Sequence, residues 1–318
     1  MRPRIVSLLP SATELVCALG LREQLVGVSH ECDYPPGVEQ LPRVTSTHIA
    51  HGADSLSIDR QVREELAKVS ALYQVDGSLL ATLVPDLLVT QALCDVCAVS
   101  ASDVEAVACA LPRVAQVFNL QPTRLHDILE NVTALGAAAG VPERAVAVRA
   151  QMEQRIAKVA ARTAAIALAA RPRVVMLEWL EPFFDAGHWN PELVELAGGV
   201  PVLGRLGQPS STLEWSALHA AAPDLLVIAC CGFDLERSLA DVARLNTHDE
   251  WHALAAVRAG RVWVVDGNAY FNRPGPRIVD SLELLAHVLH PTVHPLSAGI
   301  TPAVRIRASA QAASTARI

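Results

Sequence analysis

The sequence predicts an α/β protein made of two similar lobes with parallel sheets, joined by a long connecting helix. Short apolar runs alternate with amphipathic helical stretches in both halves of the 318-residue chain. Residues 123–168, between the two halves, carry no strand signal. The pentapeptide PDLLV occurs at 85–89 and again at 223–227, and cysteines follow each copy. An internal repeat of one α/β lobe accounts for all three observations.

The first lobe begins with an apolar run at residues 4–10 that ends at Pro10, which predicts a strand followed by a tight turn. Ser11 and Glu14 have the spacing of a capping box, with Ser11 as the N-cap and Glu14 three residues later. The spacing of apolar residues predicts the later elements of this lobe: strands at 24–29 and 86–91 and an amphipathic helix at 58–73.

The middle segment is predicted to be helical, with Thr123 capping one helix that ends near Gly140 and Pro142 at the first position of a longer one. Strands are then expected at 173–179, 224–230 and 261–267, and helices at 190–197 and 276–289. The tail from Thr292 is rich in Ala, Ser and Thr without period, so we expect it to be disordered. The predicted division is an N-terminal lobe at 1–122, a helical connector at 123–170, a C-terminal lobe at 171–291 and the tail at 292–318.

The composition, with 51% hydrophobic residues, 19% charged residues and a net charge of −7, is that of a globular protein. No cluster of five basic residues is present, so nucleic acid is not an expected partner. No run of 18 apolar residues is present either, and membrane insertion is not expected. The apolar run at the N-terminus is too short for a signal peptide, which predicts a cytoplasmic protein, or a periplasmic one if the true start lies upstream.

In open parallel sheets, ligands bind outside the carboxyl ends of the strands. If both lobes follow this rule, their strand-end loops line an interlobe cleft that takes a small-molecule ligand. The candidate ligand-binding residues in these loops are Ser11, His30, Glu31, Cys32, Tyr34, His48, Gln91, Trp179, His188, Trp189, Phe233, Tyr270, Phe271 and Arg273.

Cys94 and Cys97 form a Cys-x-x-Cys pattern just beyond the strand at 86–91. Four interpretations stay open: two buried thiols, a redox pair, a structural zinc site with His48 and His51, or ligands of a metal in the cleft. In the last case Cys230 and Cys231 stand at the corresponding strand end of the second lobe, and thiolates with His30 favour zinc, copper or an iron–sulfur cluster.

Signatures of common enzymes are absent, including G-x-S-x-G, H-E-x-x-H and the phosphate-binding G-x-x-x-x-G-K-[ST]. A set of Cys94, His30 and Asp33 could be assembled from the cleft loops, but spacing alone cannot show that a base reaches a nucleophile. We therefore expect a binding protein and not an enzyme.

Several segments, taken in order, resemble one known family. They include RIVSLLPSATELVCALG and LVGVSHECDYPP in the first half, and AGHWNPELVELAGG and RVWVVDGNAYFNRPGP in the second. The resemblance, over roughly residues 4–291, is to class III substrate-binding proteins of ABC importers, and within them to cobalamin-binding proteins. It implies two Rossmann-like lobes bridged by a rigid helix, with a corrinoid such as cobalamin, another tetrapyrrole, a siderophore or a metal ion held between them.

This sequence departs from that family at the docking positions. Members dock onto the importer through one surface Glu in each lobe, and the aligned positions here are Ser78 and Ser216, with Glu214 nearby. Docking onto an ABC permease is therefore not expected, and we expect a ligand-binding relative. Two alternatives remain: a metal-binding protein or metalloenzyme that uses Cys94, Cys97, Cys230 and His30, and an importer component whose export signal is missed.

Overall fold

The computed structural model describes residues 3–49, 52–67, 72–91 and 101–306. The chain divides into two compact units, which are treated separately here. Unit 1 comprises Met1–His51, Ile58–Glu153 and Pro274–Pro276; unit 2 comprises Gly52–Ser57, Gln154–Arg273 and Arg277–Ile318.

Unit 1 is built on a four-stranded sheet in which every described pairing is parallel, with the order β2-β1-β5-β6. A separate antiparallel pair is formed by β3 and β4. The strands are β1 (Ile5–Ser7), β2 (Leu25–Val28), β3 (Thr45–Thr47), β4 (Tyr73–Val75), β5 (Leu87–Gln91) and β6 (Gln116–Leu120). The helices of the first half of the chain are α1 (Pro10–Ala18), α2 (Ser55–Leu66), α3 (Gly77–Leu83), α4 (Ala101–Ala110), α5 (Leu125–Ala138) and α6 (Pro142–Thr163).

Unit 2 is built on a mixed sheet with the order β10-β8-β7-β11-β12-β13, and β9 also pairs with β7. The central strands β7, β11 and β12 are parallel. The strands are β7 (Arg173–Leu180), β8 (Phe183–Asp185), β9 (Val200–Pro201), β10 (Thr212–Leu213), β11 (Leu225–Ile228), β12 (Val262–Val264) and β13 (Val304–Ile306). The helices are α7 (Asn190–Leu196), α8 (Trp215–Ala221), α9 (Leu235–Leu245), α10 (Asp249–Ala253), α11 (Ala255–Arg258) and α12 (Ile278–Leu289).

The repeated PDLLV segment has the same structural role in both units. In unit 1 the backbone N–H of Arg4 donates to Asp86 Oδ2 over 2.8 Å, and the Arg4 guanidinium donates to the Leu83 carbonyl that ends α3. In unit 2 the N–H of Arg173 donates to Asp224 Oδ2 over 2.9 Å, and its guanidinium donates to carbonyls that end α8. The Asp of each copy therefore joins the start of one strand to its neighbour.

Each PDLLV copy also follows the same type of helix end. Val84 and Ala222 close α3 and α8 with left-handed φ values of 45° and 41°. A left-handed residue commonly ends a helix, and a proline often follows because it cannot continue the helical hydrogen bonds. The two predicted lobes thus contain one repeated helix–strand unit, and the predicted α/β fold class is confirmed.

Most predicted strands are present, but four expectations about local structure are corrected. Helix α1 begins at Pro10 with Leu9 as N-cap and no side-chain cap, so the capping box of Ser11 and Glu14 is wrong. The helix predicted at 58–73 ends at Leu66, and Tyr73 begins β4.

Strand β6 was not predicted, and it lies directly before the helical segment. At the other end of the chain, residues 304–306 of the predicted disordered tail form β13, at the edge of the second sheet. Among the described residues, no helix has both the length and the apolar character needed to cross a membrane.

Candidate functional site

In unit 1 the predicted ligand residues lie on the loop after β2, which is held by a dense set of hydrogen bonds. The backbone N–H of His30 donates to Thr45 Oγ1 over 3.0 Å, and His30 Nδ1 lies 2.7 Å from the same oxygen. Arg43 Nη1 donates to the carbonyls of Ser29 and Cys32, both over 2.7 Å. One guanidinium and one hydroxyl therefore fix the backbone of this loop and the imidazole that it carries.

The neighbouring side chains of this loop differ in exposure. Glu31 is exposed and accepts a hydrogen bond from the Tyr73 hydroxyl over 2.9 Å, and the Tyr73 ring lies against His30 with centroids 5.3 Å apart. Cys32 is buried, with Sγ 3.0 Å from Thr13 Oγ1. The structure thus brings His30 and Glu31 together through Tyr73 and places the Cys32 thiol under α1.

The remaining predicted residues of unit 1 are scattered between surface and interior. Tyr34 is 41% exposed, and His48 is exposed with Nε2 3.0 Å from Gln74 Nε2. Ser11 and Gln91 are buried, and Ser11 Oγ and Gln91 Oε1 have no hydrogen-bond partner in the described part of the chain. A buried hydroxyl or amide normally has such a partner.

The predicted thiol site is not supported. Cys94 and Cys97 lie outside the described residues. Cys230 is fully buried, and burial together with the charge of Asp241 raises the pKa of its thiol, which makes it a poor metal ligand. Among the described residues, no group of three or more His, Cys, Asp or Glu side chains is placed to hold a metal ion.

In unit 2 the segment after β8 holds His188 in a strained backbone conformation. His188 has a φ of 51°, its N–H donates to the Gln208 carbonyl over 2.7 Å, and its carbonyl accepts from Gly207. Asp185, which was not predicted, accepts from the N–H groups of Gly204 and Ser211 and ties the two loops together. Burial lowers the pKa of His188, so its imidazole is neutral near pH 7.

Trp189 connects this segment to the loop after β12. Its Nε1–H donates to the Phe271 carbonyl over 2.8 Å, and Phe271 has a φ of 70° with its N–H bonded to Ser281 Oγ. The Tyr270 hydroxyl accepts from the N–H of Thr301 over 3.1 Å. Tyr270 and Phe271 are 5% and 1% exposed, so both rings lie mainly in the interior of unit 2, and their role as ligand contacts stays a prediction.

The same loop is fixed by polar contacts at both ends. Asn272 Nδ2 donates to the carbonyls of Ala229 and Gly267, and Arg273 Nη2 donates to Asn268 Oδ1 over 2.7 Å. A Cβ at Gly267 would collide with the backbone carbonyl of Cys230, so the close approach of the loop to β11 requires glycine. Arg273 is 8% exposed and lies at the end of this rigid loop.

Trp179 and Phe233 form an aromatic pair in unit 2, in which the Phe233 ring is buried. Their ring centroids are 5.1 Å apart in an edge-to-face arrangement, and the Arg237 guanidinium lies 3.8 Å from the centroid of Phe233. Trp179 is half-buried, so part of its ring is accessible. The sequence did not predict a role for Arg237. A basic residue one turn after a strand-end Phe is common on helix surfaces and is not a specific signal.

The predicted site residues therefore fall at the strand ends of both units, as the fold rule requires. In unit 1 they include His30 and Glu31 with a buried hydroxyl and amide, and in unit 2 they include the half-buried Trp179 and a loop that carries Arg273.

Comparison with known proteins identifies the family of the chain. A family model described as periplasmic binding protein matches residues 5–269. The vitamin B12-binding protein of Vibrio cholerae is 25% identical over 291 residues, covering 88% of this chain and 86% of that protein. The vitamin B12-binding protein of Pectobacterium carotovorum is 49% identical over only 43 residues, which are 14% of this chain and 16% of that protein.

Solved structures share the fold over nearly the whole chain. A periplasmic haem-binding protein from Pseudomonas aeruginosa is 23% identical with a TM-score of 0.72, covering 96% of this chain and 99% of that one. The periplasmic vitamin B12-binding protein of Vibrio cholerae is 23% identical with a TM-score of 0.66, covering 90% and 96%. The predicted resemblance to class III substrate-binding proteins, and the prediction of a binding protein and not an enzyme, are confirmed by these relatives. The chain belongs to the periplasmic binding protein family.

Proposed function

We propose that this chain is the substrate-binding component of an ABC importer and that its ligand is a corrinoid. The observation that carries the proposal is the similarity to a vitamin B12-binding protein over 88% of the chain, within a family of periplasmic binding proteins. Of the alternatives predicted from the sequence, the importer component has better support than a metal-binding protein, since the described residues contain no metal cluster.

The chemistry of the predicted site residues supports a macrocyclic ligand. A corrinoid is a large ring with a broad apolar face and amide groups around its edge. The half-buried Trp179 ring offers an apolar surface of matching type, and aromatic surfaces give large contact areas with few flexible torsions. The Ser11 hydroxyl and the Gln91 amide are neutral, and Gln91 Oε1 can accept from an amide N–H at the ring edge.

The test is a titration of the purified protein with cyanocobalamin, cobinamide and haemin, followed by visible absorption and tryptophan fluorescence. We expect saturable one-to-one binding of the corrinoids, with a Kd below about 1 μM, or roughly 8 kcal/mol of binding free energy. Haem is the ligand named for several similar structures. Binding of haemin alone would replace the corrinoid by haem, and binding of neither ligand would refute the proposal.

A pair of variants locates the ligand on the protein. Trp179→Leu removes the accessible aromatic face and should weaken corrinoid binding by about tenfold or more, since one stacked aromatic contributes on the order of 1–2 kcal/mol. Trp263→Phe is the matched control, because this half-buried ring lies in β12 against Arg305 of the edge strand β13. Equal corrinoid affinity of both variants would show that Trp179 does not contact the ligand.

The proposal places the protein in the periplasm. The cytoplasmic location predicted from the sequence has no support from the comparisons, whereas the predicted periplasmic alternative agrees with the family and with the names of its relatives. Osmotic-shock fractionation of cells that express the native gene tests this, with release of the protein alongside a periplasmic marker as the expected result. Retention with the cytosolic fraction would contradict it.

Importer docking is part of the proposal, through carboxylates that lie close to Ser78 and Ser216. Ser78 and Ser216, at the expected Glu positions, each lie two residues after an exposed acidic residue at the start of the repeated helix. Asp76 caps α3, and Glu214 occupies the equivalent position before α8. Hydrogen bonds from Ser78 and from the Leu79 N–H lower the pKa of Asp76, so it is charged near neutral pH.

The docking role is tested by binding to the cognate permease in nanodiscs. The double variant Asp76→Asn, Glu214→Gln should lose most of the affinity and keep ligand binding. Asp249→Asn, a substitution of an exposed Asp at the start of α10, is the control. Unchanged permease affinity of the double variant would show that these carboxylates do not dock.

A further inference from the structure

His188 presents a half-buried imidazole on the segment of unit 2 that follows β8. Its backbone is fixed on both sides, because its N–H donates to the Gln208 carbonyl over 2.7 Å and its carbonyl accepts from the Gly207 N–H over 2.9 Å. Its φ of 51° is in the left-handed region, which glycine adopts without strain. Among the residues that the structure describes, neither ring nitrogen of His188 has a hydrogen-bond or ion-pair partner.

The imidazole of His188 is supported through the face of its ring. It lies against the Trp189 ring, with centroids 5.5 Å apart and planes tilted by 32°. Trp189 is 4% exposed, and its Nε1–H donates to the Phe271 carbonyl over 2.8 Å. This bond places His188 beside the loop after β12, which also carries Arg273. The imidazole therefore packs on a fixed indole while both of its nitrogens stay open to another partner.

The protonation state of His188 suits a metal ligand. Burial lowers the pKa of its imidazole, and no charged side chain opposes this effect. The ring is therefore neutral near pH 7, and a neutral imidazole carries a lone pair on one nitrogen that binds transition metals.

Three other candidate donors are less suitable than His188. His30 Nδ1 lies 2.7 Å from Thr45 Oγ1, and its Nε2 is shielded from solvent. The Tyr270 hydroxyl accepts from the Thr301 N–H, and Tyr270 is 5% exposed. Burial raises the pKa of the Cys230 thiol, so this sulfur stays protonated.

A single donor is enough when the ligand brings its own metal. The described residues contain no cluster that could hold a bare metal ion. A corrin ring, however, binds its cobalt through four nitrogens of its own and leaves only the axial positions open.

We propose that one imidazole nitrogen of His188 binds the cobalt of the corrinoid as an axial ligand, a step that rests on the corrinoid binding proposed above. A cobalt–nitrogen bond forms, the bond from cobalt to an axial water breaks, and that water leaves. The oxidation state of the cobalt does not change. His188 thereby selects corrinoids whose axial water can be exchanged.

Electron paramagnetic resonance of the full chain with cob(II)inamide tests this bond directly. This corrinoid has no nitrogenous base of its own, and the unpaired electron of its cobalt couples to the nucleus of an axial nitrogen. We expect the cobalt lines to split into three when cob(II)inamide is bound, and into two when the histidines are labelled with ¹⁵N. His188→Gly should abolish the splitting, and glycine keeps the left-handed backbone without strain.

His248→Ala is the matched control for the resonance experiment. His248 is also half-buried, and its ring lies against Trp215 with centroids 5.5 Å apart and planes tilted by 37°. This variant should keep the splitting. Bound cob(II)inamide without nitrogen splitting, or splitting that persists in His188→Gly, would overturn the inference and leave corrinoid binding intact. Absence of any corrinoid binding would refute the proposed function, and the inference with it.

Affinities for two cobinamides separate coordination from packing. Removing a metal ligand should cost at least the roughly tenfold that loss of its supporting contacts costs in other sites. His188→Gly should therefore bind aquacobinamide at least about tenfold more weakly than the native protein. Dicyanocobinamide has cyanide at its axial positions, so its affinity should be almost unchanged. An equal loss for both ligands would show that His188 only packs against the ligand and would overturn the inference.

Discussion

Replacing Trp189 by Phe should loosen the loop after β12, because one hydrogen bond of this indole holds a strained backbone. Trp189 is 4% exposed, and its Nε1–H is bonded to the carbonyl of Phe271, whose φ is 70°. Leaving that buried carbonyl without a donor should cost about 1–3 kcal/mol. The void left by the smaller ring adds about 1 kcal/mol. We therefore expect a loss of about 2–4 kcal/mol in the free energy of unfolding.

The assay is urea unfolding followed by far-ultraviolet circular dichroism, since the substitution itself removes a fluorophore. Trp263→Phe is the matched control: its ring is half-buried and interacts with Arg305 at 5.9 Å, which contributes about 0.5–1 kcal/mol at most. Hydrogen exchange should also show faster opening of residues 266–273 in Trp189→Phe alone. If both variants lose the same stability, or if this loop keeps its protection, the hydrogen bond to Phe271 does not hold the loop.

Three further predictions concern the framework of the two units. Asp86→Ala and Asp224→Ala should each lose about 1–2 kcal/mol in urea unfolding, because each removes an acceptor from a strand N–H, and a loss in only one of them would contradict the equivalence of the repeats. Arg155→Met should lower the free energy of unfolding by about 1–2 kcal/mol, because it leaves the Glu283 carboxylate without its ion pair. This value is reduced for the partial exposure of Arg155. An unchanged free energy of unfolding would show that water replaces the pair. Burial and the nearby charges of Arg162 and His290 lower the pKa of His294. The free energy of unfolding should therefore fall as pH drops below about 6.5, where the unfolded chain takes up a proton that the folded protein does not. In His294→Gln, the free energy of unfolding should depend less on pH between about pH 5 and 7.

The sequence predicts where the central strands of both units lie along the chain, because their apolar runs are bounded by Pro, Gly and Asp. It is less informative where partners far along the chain decide the structure. Tyr73 continues the helical period of α2, yet it lies in β4 because Thr47 pairs with it across 26 residues of chain. The start of α1 is a different case: Pro10 at the first helical position was a signal in the sequence itself, and it outweighed Ser11.

The site could be predicted at the level of loops and not of side chains. Strand ends identify the segments that carry His30, Trp179 and Arg273, since parallel strands direct their carboxyl ends to one edge. Whether Phe271 faces solvent or the interior depends on Trp189 and Ser281, which lie 82 and 10 residues away. No local pattern contains that information, and the burial of Phe271 emerges only from the tertiary contacts.

The two repeats can be compared at the start and at the end of their strands. The segments RPRIV at 2–6 and RPRVV at 171–175 begin β1 and β7, and they pair with the two PDLLV copies through matching Arg and Asp residues. Beyond PDLLV the copies diverge at once, into Thr90 and Gln91 in unit 1 and into Ile228 and Ala229 in unit 2. The bonds that start the strands are the same in both units. The two repeats are therefore alike in the bonds at the start of their strands and differ in the residues at the strand ends, which are a hydroxyl and an amide in unit 1 and apolar side chains in unit 2.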